Sequence, residues 1–150
     1  MKTRINEVPK DNVLIIQNGG WCIVSLFKNV VEVDGGENGE KQYEADIVSF
    51  PVKQITKEQI LEHFDWYWDK AIAKELEQAK GRKIIELQQL LAKTDYEAIK
   101  YAEGVISAES YSAMGAARAA WRTAINNLEQ CQTISEVENV TYSLEIPKIN

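Results

Sequence analysis

Tyr111, Met114, Arg118, Trp121, Ile125 and Leu128 follow one another at steps of 3, 4, 3, 4 and 3 residues. That spacing sets them on one face of a helix, and the stripe they form is apolar except at Arg118. Ala117, Ala120 and Ala124 lie beside it, small enough for another helix to approach closely. The segment before it offers that helix. Ile84, Leu87 and Leu91 share a face, with Glu86, Gln88, Gln89 and Lys93 on the others. Between the two, Thr94-Asp-Tyr-Glu97 has the form of a capping box, in which the Thr94 hydroxyl takes the Glu97 amide and the Glu97 carboxylate reaches back. One helix should therefore stop near Lys93 and a short one run from Asp95 to Glu103. Gly104 suits a left-handed stop, and Ser107 suits the N-cap of the return helix. So short a link must fold the last helix back along the first. Lys83–Gln130 reads as a helical hairpin, with Trp121 buried against Ile84, Leu87 or Leu91.

Upstream, the pattern changes from helical to alternating or continuous apolar runs. Residues Met1–Asp11 read as a polar lead-in. Asn12–Gln17 is short and β-branched, and Asn18-Gly19-Gly20 allows the positive φ of a tight hairpin. Trp21–Phe27 is almost continuously apolar, so that strand should be covered on both faces, at least in part. Asn29–Val33 continues it past a bulge or begins another strand. Asp34–Glu40 carries three glycines and no apolar residue, a loop whose tip should be mobile. Tyr43–Phe50 returns as a third strand ended by Pro51, and connections this short give an antiparallel meander. Thr56-Lys-Glu-Gln59 is a second capping box. It opens a helical region with Ile60, Phe64, Tyr67, Trp68, Ala71, Ile72 and Leu76 on its buried side. A single helix from Lys57 to Lys93, weakened only at Gly81, would be about 55 Å long at ~1.5 Å per residue. Thr133-Ile-Ser-Glu136 caps one more short helical turn. Val140–Ile146 alternates with period two and should return to the edge of the sheet. The expected class is α+β: a small antiparallel sheet (an N-terminal meander plus the C-terminal strand), then a long helix and a helical hairpin. The expected division is a β-rich module at 1–54, the helices at 55–132, and a turn and strand at 133–150.

Composition narrows the function. A content of 45% apolar residues, with 4 Trp and 6 Tyr, suits a globular chain. A net charge of −6 with dispersed Lys and Arg disfavours nucleic acid and anionic membranes as main partners. No run approaches the ~20 apolar residues of a membrane span, and Met-Lys-Thr-Arg leads into polar sequence without a signal-peptide core. Cys22 and Cys131 read as two free buried thiols in a reducing compartment.

The densest chemistry is His63-Phe-Asp-Trp-Tyr-Trp-Asp69. One histidine with carboxylates on another face does not make the three convergent ligands, at about 2.0–2.2 Å, that a metal needs. The aromatics read first as a seam between helix and sheet, and second as a stacking platform built on Trp66 and Trp68 for a sugar or a base. An enzyme would have to use His63, the sole histidine, and no nucleophile elbow accompanies it. Gly19-Gly20 and Gly35-Gly36 lack the Lys and the strand–loop–helix setting of a phosphate cradle. No cofactor, metal or catalytic residue is expected. Arg118, the charge in the apolar stripe, is expected to fork onto Asp95 or a Glu of the facing helix, or else to grip a partner's carboxylate.

The sequence LLAKTDYEAIKYAEG, the opening ISAESY and the return R-A-A-W-R-T-A-I-N together resemble the C-terminal segment of small bacteriophage tail-associated proteins, of the tail-fibre assembly or tail-assembly chaperone type. The likeness covers Lys83–Glu129. Its core is Thr94-Asp95-Tyr96 followed by Arg118-x-x-Trp121-Arg122-x-x-Ile125. The resemblance implies a non-catalytic phage or prophage protein that acts by protein–protein contact in the bacterial host cytoplasm or on the virion. Its partners would be other tail proteins and further copies of itself, as a dimer or trimer joined through the helical region.

Overall fold

The computed structural model describes residues 2–33 and 41–149. The glycine-rich loop expected between the second and third meander strands lies outside the described residues. The fold is α+β. The chain divides into two compact units, Met1–Ala73 and Lys74–Asn150.

The first unit holds a sheet of four antiparallel strands: β1 (Lys2–Ile5), β2 (Val13–Asn18), β3 (Trp21–Val33) and β4 (Gln42–Val52), in the order β1-β4-β3-β2. β2, β3 and β4 form the expected meander. Gly19, at φ +62°, sits in the two-residue connection between Asn18 and Trp21. Asn29–Val33 continues β3 past an irregularity between Lys28 and Val31. Asn29 takes φ +52° there, and its side-chain amide donates to Asp46 Oδ2 at 2.8 Å. Pro51 does not end β4, which runs on to Val52 with Pro51 opposite Ile23. Among the described residues β1 pairs only with Tyr43–Asp46, and none pairs with β4 on that side at Pro51, so its missing N–H costs no ladder bond.

The fourth strand is not the C-terminal segment. Lys2–Ile5, read from sequence as polar lead-in, pairs with Tyr43–Asp46. Its burial is slight, so no hydrophobic alternation announced it. Partners across the sheet share a face, which puts Val13, Ile15, Val24, Leu26, Val48 and Phe50 together. Onto that face pack α1 (Lys57–Glu62) and the start of α2 (Phe64–Lys93), through Ile60, Phe64, Tyr67, Trp68 and Ala71. On the opposite face β3 is buried at Phe27 but exposed at Trp21 and Ile23, so it is covered on both faces only at one end.

The Thr56 capping box is present. Gln59 N–H donates to Thr56 Oγ1 at 3.3 Å, and Thr56 N–H to Gln59 Oε1 at 3.0 Å. The single helix expected from Lys57 is broken, and not at Gly81. His63 adopts φ −125°, ψ 31°, ending α1, and its carbonyl accepts the Tyr67 amide at 3.1 Å to start α2. Gly81 stays helical, because one glycine costs only about 1 kcal/mol in a helix whose other face is packed.

The second unit contains the rest of α2, then α3 (Asp95–Ala102), α4 (Ala108–Gln130) and α5 (Ile134–Asn139). Its core joins Leu87, Leu90, Trp121, Ala124, Leu128, Cys131 and Val137, with Ile84, Leu91 and Ile125 packed against them. Ser107 caps α4 by accepting the Ser110 amide at 3.2 Å, and Thr133 with Glu136 forms a capping box for α5. Gly104, at φ +76°, ends the α3 segment in a Schellman turn: Val105 N–H reaches Lys100 O at 2.9 Å and Gly104 N–H reaches Tyr101 O at 3.0 Å.

Val140–Ile146 forms no strand. It packs within the second unit, where Trp121 Nε1–H donates to Ser143 O at 2.8 Å and the Tyr142 hydroxyl donates to Glu86 at 2.7 Å. Lys83 Nζ donates to the carbonyls of Val137 and Val140 at 2.7 and 2.9 Å. Side-chain donors from the helices thus replace the ladder that a sheet edge would have supplied.

Candidate interaction surface

Arg118 and its neighbours fix the turn of the hairpin. Its guanidinium is 5% exposed and spreads over three acceptors. Nη1 donates to Leu91 O at 2.7 Å and to Thr94 Oγ1, and Nη2 donates to Asp95 Oδ1 at 2.7 Å. In place of the expected fork, Asp95 takes one bond, and the other arm holds the Leu91 carbonyl near the end of α2 and the Thr94 hydroxyl. Thr94 does not form the capping box read from T-D-Y-E. With φ −110° and ψ 4° its hydroxyl turns back to donate to Leu90 O and Leu91 O at 2.9 and 3.0 Å, and it accepts from Arg118. An extended Ncap would carry that oxygen away from the buried guanidinium, whose desolvation demands every available acceptor. Among the described residues no buried side-chain nitrogen or oxygen lacks a partner. Arg118 is spent inside the fold.

The same holds for Trp121, 1% exposed within the core, and for the whole stripe Met114–Arg118–Trp121–Leu128. As its spacing predicted, the stripe packs on the facing helix of the hairpin, with Trp121 in one core with Leu87 and with Ile84 and Leu91 against it. Arg122, next to Trp121 in sequence, faces solvent.

The hairpin leaves α3 uncovered, as it does Ile85 on α2. Among the residues of α3 none is buried, and Tyr96 and Ile99 are 65% and 53% exposed. They lie three residues apart and so share a face. The Schellman turn folds Val105, 69% exposed, back toward the helix end that carries Ile99. Lys100 lies over the Tyr96 ring at 4.3 Å and pairs with Glu97 at 3.5 Å, framing the patch with charge. Tyr101 stacks on Tyr111 with ring centres 4.4 Å apart, which pins α3 to α4. Of these residues sequence singled out Tyr96 but not Ile99 or Val105. The available signal was a short amphipathic helix whose apolar face had no partner stripe left to meet.

The aromatic cluster of the first unit splits in two. Phe64, Tyr67 and Trp68 belong to the seam with the sheet: Tyr67 stacks on Phe50 at 5.6 Å and Phe64 on Trp68 at 6.4 Å. Lys28 Nζ sits 4.9 Å from the Trp68 ring and 2.6 Å from Asp65. Trp66 points out, edge-on to Tyr67 at 4.9 Å, and with His63 and Tyr67 lines a shallow open concavity. Trp66 and Trp68 thus do not form one platform, since Trp68 is engaged by the seam and by Lys28. Among the described residues no carboxylate or nucleophile is hydrogen-bonded to the His63 side chain, and its structural part is to divide α1 from α2. Among the described residues no group of three or more His, Cys, Asp or Glu side chains could hold a metal ion, and no helix is long and apolar enough to cross a membrane. Cys22 and Cys131 are free and buried. No family model, curated protein or solved structure matches the chain.

Proposed function

We propose that this chain is a non-catalytic phage or prophage tail accessory or assembly protein, acting through the exposed face of α3. The observation that carries this reading is the pairing of a fully consumed hairpin core with an unburied apolar face at its turn, Tyr96, Ile99 and Val105. A side chain such as Ile99 gains nothing from solvent. Burying three such groups against a partner would contribute several kcal/mol, at about 25 cal/mol per Å². The motif that resembles tail-associated proteins, Thr94-Asp95-Tyr96 with Arg118-x-x-Trp121, supports the same reading by its position. Thr94, Asp95 and Arg118 hold the turn, and Tyr96 is presented by it. The partner is another tail protein met in the bacterial host cytoplasm or carried on the virion.

The test is co-expression with the product of the neighbouring tail-fibre gene. The expected result is co-purification or increased solubility of the fibre protein, lost on Tyr96→Lys or Ile99→Lys. The parental chain failing to bind it or to alter its solubility or virion incorporation would remove the assembly role. Binding that survives both substitutions would remove α3 as the contact.

A further inference from the structure

The sheet has two edges, and they are unlike. β1 carries Lys2 and Arg4 in four residues, the charged edge that discourages strand addition. β2, Val13-Leu-Ile-Ile-Gln-Asn18, has no charge, proline or bulge. We infer that β2 pairs with β2 of a second copy of this chain, antiparallel about Ile15, joining two sheets into one.

The register follows from the hairpin. A two-residue connection closes on a hydrogen-bonded pair, here Asn18 with Trp21, and bonded pairs alternate along the ladder. Leu14 and Ile16 therefore direct their amides and carbonyls at β3, and Val13, Ile15 and Gln17 direct theirs outward. Among the described residues no backbone or side-chain group bonds the outward ones, so an edge of free donors and acceptors runs the length of the strand. Centring the two-fold on Ile15 pairs Ile15 with Ile15 of the second copy, and Val13 with its Gln17 on either side. All three outward residues are then satisfied. A centre at Leu14 or Ile16 would pair only two of the three outward residues, Val13 with Ile15 or Ile15 with Gln17, and leave the third beyond the end of the facing strand.

Charge and shape fit the same occupant. A self-pairing strand meets its own sequence, so any charge near the axis would face its like; β2 has none, whereas β1 would set its own cations side by side. On the face not packed by helices, this register places Leu14 opposite Ile16 of the second copy. Leu14 and Ile16 are 39% and 51% exposed, and beside them Ile23 and Trp21 are also exposed. Pairing makes one apolar strip of these residues across the joined sheets. The inference rests on the sheet alone and is independent of the α3 contact.

Light scattering on a sizing column should find the chain dimeric at tens of micromolar. Leu14→Lys with Ile16→Lys sets lysines opposite lysines and should give a monomer of unchanged circular dichroism. Leu14→Lys with Ile16→Glu sets lysine opposite glutamate across the axis and should restore the dimer. Hydrogen exchange on the parental chain gives a readout free of mutation: the Val13, Ile15 and Gln17 amides should gain protection as concentration rises, while those of Leu14 and Ile16 are protected throughout. A parental monomer at every concentration, a dimer that survives the double lysine variant, or outward amides indifferent to concentration would each overturn the pairing. Failure of the Lys/Glu variant to dimerise would overturn the register.

Discussion

Replacing Trp121 by alanine probes the whole second unit. The indole is 1% exposed and touches a core drawn from α2, α4 and α5. Burying a side chain of about 250 Å² at about 25 cal/mol per Å² sets an upper bound of about 6 kcal/mol. Alanine keeps part of that contact, and buried aromatic truncations fall at about 3–5 kcal/mol. The Nε1–H bond to Ser143 O goes as well, freeing the C-terminal segment. Trp121→Phe separates the terms: it keeps most of the ring contact, loses the hydrogen bond, and should cost about 1–2 kcal/mol. A urea titration followed by far-ultraviolet circular dichroism reads both. With a slope of about 1.5 kcal/mol per molar, the alanine midpoint should fall by about 2–3 M. A loss below about 1 kcal/mol for Trp121→Ala would refute the assignment of Trp121 to the centre of this core.

Thr94→Val should cost about 1–3 kcal/mol in the same titration, since it strips the Arg118 guanidinium of a buried acceptor without changing side-chain volume; a neutral result would mean that the Leu91 carbonyl and Asp95 suffice. Gly104→Ala has open space for its methyl group but must hold φ +76°, so a loss of about 1 kcal/mol is expected from backbone strain alone. Burial first, and then the hydrogen bond to Glu86, push the Tyr142 phenol up to about 12. The folded state keeps this proton where unfolded tyrosines release theirs, near about 10. Its stabilising contribution is thus complete below about pH 10 and is lost as pH rises through about 12. Tyrosinate absorbance should show one late-titrating group that Tyr142→Phe removes; a single class of tyrosines titrating together in the parental chain would show Tyr142 to be in free solvent.

Local rules determined much of this chain. Periodicity located the hairpin helices, and Gly19, Gly104, Ser107 and the Thr56 and Thr133 boxes set turns and ends, because each acts over three or four residues through its own backbone. The charge in the stripe also announced a bond to Asp95, though not that its other arm would go to Leu91 O and Thr94. Tertiary packing decided the rest. Thr94 carries a capping-box sequence, yet the buried guanidinium across the hairpin outbid the helix amide for its oxygen. Lys2–Ile5 has no alternation to read, and it is a strand because β4 offered an open edge. Val140–Ile146 has the alternation of a strand and is none, because Trp121, Lys83 and Glu86 satisfy it where it lies. The candidate surface divides in the same way. Tyr96 stands in a motif that sequence displays, but its exposure beside Ile99 and Val105 depends on which stripe the return helix had already buried. A strand's pattern records which face is apolar, whereas its partner is whatever unsatisfied edge or donor the rest of the fold brings within reach.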